Sequence, residues 1–488
     1  MQLLLMLNEQ SQIPLYVQAA EQLKGLIKSG KLAAGSKLPS SRELSESLGV
    51  SRCTASKTYD ELSRQGFIST RAASGTFVSS NLPKEAPGAE FQMDCSGESR
   101  LQKDRLSQFG RRILYSNEIE ASDLELHPEL NYDAAAEDQL PAARWRELLG
   151  KAARSADVRY NFSDPFGHRG LRKAIADYLN RSRGLQCSHE QIALFSGTQP
   201  ALDLLCRVLV NPGDTVVVEN PGFPGARRTF AAHGAEIVAL PVDDKGMQTG
   251  SLMELARESK LAYLTPAHHA PLGMPLLAER RKQLFDWAET AGAFVVEDDF
   301  DSEYRYGERC ISSLQGIDRA GCVIYMSSFW KLLCPLLRLG FMVLPPALIP
   351  IISRARSFVE RDFQTIEHEA LAQFIEEGHL ERQIRRNRAV YARRRELLLA
   401  RLYEQLGGKL RISAANSGTH MLVRFRLEHT DLELMRFAEL AGLPMVSTES
   451  YYYRSCSNAE FLLPFAHLSE TQIEEAVFRF ADLLRAAI

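Results

Sequence analysis

The sequence predicts two bodies of different class: a small α+β head over residues 1–80 and an α/β body with a mostly parallel sheet over 105–488. Three observations predict this. The first 80 residues hold three short helical patterns followed by two alternating, strand-like runs. The long remainder alternates helical patterns with short, wholly apolar runs, as strands buried on both faces do. Between the two, residues 81–104 are polar, contain Pro and Gly and keep no period, as an interdomain linker does.

Charge follows the same division. Residues 1–80 carry nine Lys/Arg and six Asp/Glu, while the whole chain has a net charge of −3, so the rest carries −6. A mildly basic head on an acidic body suits a nucleic-acid module joined to something else. The eight cysteines, at 53, 95, 187, 206, 310, 322, 334 and 456, never form a C-x-x-C pair. That argues against a metal site and a disulfide framework, and for a reducing compartment. The opening run Leu3 to Leu7 is too short for a signal segment, and no apolar run of about 20 residues could span a bilayer. A cytoplasmic protein without membrane association is expected.

In the head, Leu15, Ala19, Leu23, Leu26 and Ile27 recur at helical spacing until Gly30 and Gly35 break it. Pro39-Ser40-Ser41 opens a second helix, with Ser40 or Ser41 as its cap, running to Leu48. After the turn at Gly49-Val50, Ser51 caps a third helix, Arg52 to Leu62. Two short helices joined by a tight turn containing Gly form a helix-turn-helix pattern. Residues 66–70 and 75–78 then alternate like the two strands of a wing, joined by Arg71-Ala72-Ala73-Ser74.

The segment Gly35-Ser36-Lys37-Leu38-Pro39-Ser40-Ser41-Arg42-Glu43-Leu44, with Val50-Ser51-Arg52 and the wing, closely resembles GntR-type winged-helix DNA-binding domains over about 65 residues. The resemblance implies that the third helix enters the major groove of an operator. Arg52 and Lys57, with Ser51 and Thr54 beside them, would face the bases. Arg42 would hold a phosphate, and Ser74, Gly75 and Thr76 at the wing tip would meet the minor groove.

In the body, apolar runs at 191–195, 215–219, 261–264, 293–297 and 322–326 read as the strands of the sheet. Functional groups then belong at their carboxyl ends. Ser196-Gly197-Thr198-Gln199-Pro200 follows the first run, and Pro200 suits a helix start whose free N–H groups cradle an anion. Val295-Val296 ends in Glu297-Asp298-Asp299, and the last run leads to Ser328-Phe329-Trp330-Lys331, with Arg338 beyond. A phosphate cradle, a strand-end carboxylate and a strand-end lysine are what pyridoxal 5'-phosphate (PLP) requires.

Along nearly all of 105–488 the chain resembles the aminotransferase-like domain of fold-type I PLP enzymes. Arg144-Trp145, Asp164 to Arg172, Glu219-Asn220-Pro221-Gly222-Phe223 and Phe465 to Ser469 carry the likeness. Winged helix, linker and aminotransferase-like body in that order resemble the MocR/GabR-type regulators of the GntR superfamily. The resemblance implies a large part at about 130–350 and a small C-terminal subdomain at about 355–488. It makes Lys331 the Schiff-base lysine and Asp298 the partner of the pyridine nitrogen. Ser196, Gly197, Thr198, Ser328 and Arg338 would surround the phosphate, Phe223 would stack on the ring, and Phe300 would lie at the ring hydroxyl.

Departures from the family pattern bear on function. Trp330 stands where Ser is usual, and Phe162, Phe223 and Phe300 replace tyrosines. The Pro-Thr-Gly turn reads His268-His269-Ala270-Pro271-Leu272-Gly273. Glu460 falls at or next to the arginine that pairs with a substrate carboxylate, with Arg454 the nearest basic residue upstream. A carboxylate there would repel an anionic substrate. At most weak or half transamination is expected, and the effector is read as an amine or PLP itself. The arginines between 382 and 395 read as the solvated face of one long helix. The reading is therefore a homodimeric, PLP-dependent transcription regulator with a two-half-site operator. The alternatives are an active aminotransferase with a DNA-binding head, and a repressor whose body only dimerises.

Overall fold

The computed structural model describes residues 14–28, 32, 35–48, 50–71, 75–79, 106–115, 139–154, 164–306, 311–359, 365–413, 417–453 and 459–487. Its contacts divide into two units, residues 1–100 and 101–488. The linker expected at 81–104 lies outside the described residues, as do Ser74, Phe162 and Arg454.

The head consists of α1 (Leu15–Lys28), α2 (Ser41–Leu48), α3 (Arg52–Arg64) and the hairpin of β1 (Ile68–Arg71) and β2 (Gly75–Val78). Ser40, of the two candidates, caps α2: its hydroxyl accepts from Glu43 N at 3.2 Å and its own N–H donates to the Glu43 carboxylate at 2.7 Å. Leu23 and Ile27 from α1, Leu44 from α2, Ala55, Tyr59 and Leu62 from α3 and Val78 from the wing meet in one core. Each large apolar side chain buried there contributes roughly 1.5–3 kcal/mol.

The body is built on an eight-stranded sheet. Its strands are β3 (Ile192–Phe195), β4 (Thr215–Asn220), β5 (Glu236–Asp243), β6 (Gly246–Met247), β7 (Leu261–Leu264), β8 (Phe294–Asp299), β9 (Val323–Ser328) and β10 (Gly340–Val343). Their order is β3-β10-β9-β8-β7-β4-β5-β6, with β5, β4, β7, β8 and β9 parallel. Only β10 and the short β6 run against that direction among these pairs. The apolar runs read from the sequence are β3, β4, β7, β8 and β9. Their side chains are buried on both faces because helices cover both sides.

Residues 410–464 add a four-stranded antiparallel sheet of β11 (Leu410–Ser413), β12 (His420–Phe425), β13 (Val446–Ser447) and β14 (Glu460–Pro464), in the order β11-β12-β14-β13. The 28-residue helix His379–Leu406 and the C-terminal helix Glu470–Ala486 pack against each other and share one hydrophobic core with it. Among the described residues no helix is long and apolar enough to cross a membrane.

Candidate functional site

The anion cradle forms where β3 ends. Gly197 caps the helix Thr198–Leu209 at φ +148, a conformation side-chain-bearing residues rarely adopt. A Cβ at Gly197 would lie 3.9 Å from Arg338 Nε, so the guanidinium stands over the helix start. A Cβ at Gly340 on β10 would lie 2.7 Å from the Gly197 carbonyl carbon, so the absence of a side chain there lets the strand pass under the loop. Ser328, at the end of β9, pairs with Gly340. Ser196, Gly197, Thr198, Ser328 and Arg338 thus converge. Trp330 packs its ring 5.7 Å from the Arg338 guanidinium carbon. Phe223 begins the helix Pro224–His233, and a Cβ at Gly225 would touch both its ring and Gln199 on the cradle helix.

Asp298 is buried near the end of β8. Tyr263 on the neighbouring β7 donates a hydrogen bond to its Oδ2, while Oδ1 has no partner among the described residues. Burial raises its carboxyl group to about 6. A buried carboxylate oxygen without a donor is costly, and an N–H such as that of a pyridinium would satisfy it. The residues present therefore fit the cofactor. Asp299 is structural: Arg183 Nη2 reaches its Oδ2 at 2.5 Å and the Tyr325 hydroxyl donates at 2.6 Å. Glu297 accepts from Leu314 N and Gln315 N at 2.8 and 2.9 Å.

Lys331 sits on a single helical turn, Trp330–Leu333, after β9 and is buried. Its Nζ lies 4.5 Å from the Phe300 ring centre and 3.6 Å from Asp301 Oδ2. The Tyr304 hydroxyl lies 3.4 Å from the Lys331 carbonyl and accepts from Asn387 at 3.1 Å, tying the lysine backbone to the long helix. Asp301 and His268 were not singled out from the sequence as site residues. The signal available was the second carboxylate three positions after Asp298, and the His that departs from the family turn.

Glu460 does not stand open to a ligand. Its carboxylate accepts from Arg424 at 2.9 Å, the Tyr452 hydroxyl at 3.0 Å and the Thr448 hydroxyl at 3.1 Å. The expectation that it repels an anionic substrate is corrected accordingly: its charge is spent on a cross-strand partner directly opposite on β12. Several arginines of the long helix are likewise engaged. Arg388 donates to the Glu303 carbonyl, Arg394 to that of Ala466, and Arg393 pairs with Glu470.

In the head, Ser51 caps α3, accepting from Thr54 N at 3.1 Å and bonding the Thr54 hydroxyl at 2.8 Å. Arg42, Arg52 and Lys57 are exposed, whereas Ala55, Thr58 and Tyr59 turn into the core. The polar face of α3 is therefore presented from its first turn. Gly75, at φ +110, opens β2 against Lys37, whose Cε would be 2.9 Å from a Cβ there, and Thr76 follows, half-buried.

Residues 15–78 match the family model of bacterial regulatory proteins, gntR family, and residues 129–480 that of aminotransferase class I and II. The chain is 34% identical to the probable rhizopine catabolism regulatory protein MocR of Rhizobium meliloti, over 97% of its own length and 94% of that protein's. It is 31% identical to the HTH-type pyridoxine biosynthesis transcriptional regulator PdxR of Corynebacterium glutamicum, over 85% and 84%. A kynurenine aminotransferase from Pyrococcus horikoshii, solved in complex with PMP, kynurenine and its product, superposes with a TM-score of 0.69 at 26% identity. The match covers 80% of this chain and 99% of that one. The head and body together define a helix-turn-helix transcriptional regulator carrying an aminotransferase-like domain. The chain belongs to the MocR-type branch of the GntR family.

Proposed function

We propose that the chain is a PLP-responsive regulator whose winged helix binds operator DNA and whose body senses a small molecule through PLP held on Lys331. One observation carries the reading: Lys331 lies buried at the carboxyl edge of the sheet that also ends in Asp298, whose Oδ1 lacks a partner among the described residues. When bound, PLP supplies an aldehyde that exchanges amines and a ring that withdraws electrons. Lys331 is the residue that joins it, and Asp298 holds the proton on its ring nitrogen. Ser196, Gly197, Thr198, Ser328 and Arg338 hold its phosphate, and the Phe223 ring covers its face.

The effector is a primary amine, which can displace the Lys331 nitrogen, or PLP itself. Displacement matters for DNA only if the amine binds two arrangements of the protein with different affinity. The functional unit is a homodimer in the cytoplasm, reading two half-sites with Arg42, Ser51, Arg52, Thr54, Lys57, Ser74, Gly75 and Thr76. Trp330 and Phe300, bulky or apolar where the related enzymes are polar, support sensing over turnover.

The test has two arms. Borohydride reduction of PLP-treated protein followed by peptide mapping should mark Lys331, and an unlabelled protein would refute cofactor binding. Duplexes selected from a random DNA pool should bind with an affinity that shifts on adding PLP or primary amines. Sustained turnover with unchanged DNA binding would favour an enzyme instead.

A further inference from the structure

His268 and Asp301 form a buried pair against Lys331. Asp301 Oδ1 accepts from His268 Nδ1 at 2.6 Å, and Asp301 Oδ2 lies 3.6 Å from Lys331 Nζ. The His268 and Asp301 side chains are 2% and 0% exposed. The imidazole stacks on Phe300 with centroids 5.6 Å apart and planes 18° from parallel. The same Phe300 ring carries Lys331 Nζ, so the four side chains form one cluster. Burial alone would raise the Asp301 carboxyl, but His268 and Lys331 outweigh it and hold the group well below the usual carboxylate range.

The cluster is closed from the small subdomain. Gly418 has φ +78, and a Cβ there would lie 2.5 Å from His268 Cε1 and 2.7 Å from Asp301 Oδ2. His420 stacks on His268 with centroids 6.0 Å apart. The other ionisable groups facing the cluster are Asp298 with its partner Tyr263, Glu303, Tyr306 and His269. Asp298 is committed to Tyr263 and His269 donates to the Pro221 carbonyl at 3.0 Å. Asp301, with an oxygen 3.6 Å from Nζ, is thus a carboxylate in position to act on the lysine.

We propose that Asp301 and His268 are a charge-holding pair that sets how tightly the Lys331 nitrogen keeps its proton, at a site where Phe300 has no donor to offer. The carboxylate favours the protonated nitrogen, and the His268 N–H draws on the same carboxylate and moderates it. Both are positioning residues, acting on ligand chemistry through Lys331. The proposal rests on Lys331 being the PLP lysine.

The test is a pH titration of the visible absorption of the PLP-loaded full chain, which reports protonation at Lys331. Asp301→Asn should lower the midpoint by about one to three pH units, the usual effect of an opposite charge at this range. His268→Phe keeps the stack but frees the carboxylate, and should raise the midpoint by a smaller amount. His268→Gln still offers an N–H and should titrate near the wild type. An unmoved midpoint in Asp301→Asn, or a shift of the same sign in Asp301→Asn and His268→Phe, overturns the proposal. If Asp301→Asn does not fold, equal midpoints for His268→Phe and His268→Gln overturn it. A wild-type chain that takes up no PLP would overturn the assignment of Lys331 instead.

Discussion

Asp298 and Tyr263 are hydrogen-bonded across neighbouring parallel strands, so one oxygen of the buried carboxylate is occupied and the other has no partner among the described residues. The bond orients Asp298 without neutralising it. Asp298→Asn should reduce PLP affinity by at least about tenfold, because an amide cannot stabilise a protonated ring nitrogen as a carboxylate does. Tyr263→Phe should keep PLP binding but lower stability by about 1–3 kcal/mol, the cost of leaving a buried acceptor unmet. Absorbance titration and thermal melting separate the two effects.

Gly418, just before β12, packs directly against the Lys331 cluster. Gly418→Ala must place a methyl group into His268 and Asp301 and hold a positive φ. We expect a loss of about 2–3 kcal/mol by denaturant melting, together with weaker PLP uptake. Gly408, around which a Cβ would meet nothing within 4 Å, is the control and should tolerate Ala within about 0.5 kcal/mol.

Much of this architecture was legible from sequence because burial writes itself into composition. Val216-Val217-Val218 and Val295-Val296 could only be strands covered on both faces, and the caps Ser40 and Ser51 announced α2 and α3. The places of Lys331, Asp298 and Gly197 at or just beyond strand ends were legible because each follows or closes such a run. What stayed hidden depends on cross-chain packing. Nothing local says that Asp301 turns toward Lys331 or that Gly418 leaves room for His268, since 150 positions separate those last two in sequence. Glu460 misled for the same reason: its partner Arg424 lies on the adjacent strand, and only the register of β12 against β14 brings the charges together.

Arg52 opens α3 and points to solvent beside the Ser51 cap. Arg52→Ala should weaken operator binding by about 1–3 kcal/mol and relax base preference, while PLP uptake stays unchanged. Arg42→Ala should weaken all duplexes more evenly and reduce the salt dependence, as the loss of a phosphate contact does. Gel-shift titration at two salt concentrations distinguishes the two, and no effect of Arg52→Ala would refute the assignment of α3.

Glu219 makes the stability of the ligand-free chain depend on pH. It is buried at the end of β4, where its Oε2 accepts from Thr265 N and Oγ1, both at 2.9 Å. Burial nevertheless raises its carboxyl to about 8. The folded chain thus keeps a proton that the unfolded chain has released by pH 5, so stability falls as pH rises toward 8. Burial raises Glu297 and Glu303 to about 7 in the same way. Histidines act in the opposite sense. Burial lowers His269 and His420 to about 3 and His368 to about 4. Their contribution is lost as pH falls below about 6.5, where the unfolded chain takes up protons, and it is complete above that. Between pH 6.5 and 8 the carboxylates alone should set the slope, and melting temperature should decline. Glu219→Gln keeps an acceptor for Thr265 without the charge. It should flatten that decline, recovering about 1–2 kcal/mol at pH 8 relative to pH 6.5. A slope identical to that of the wild type would mean that Glu219 is already ionised in the folded chain at pH 6.5.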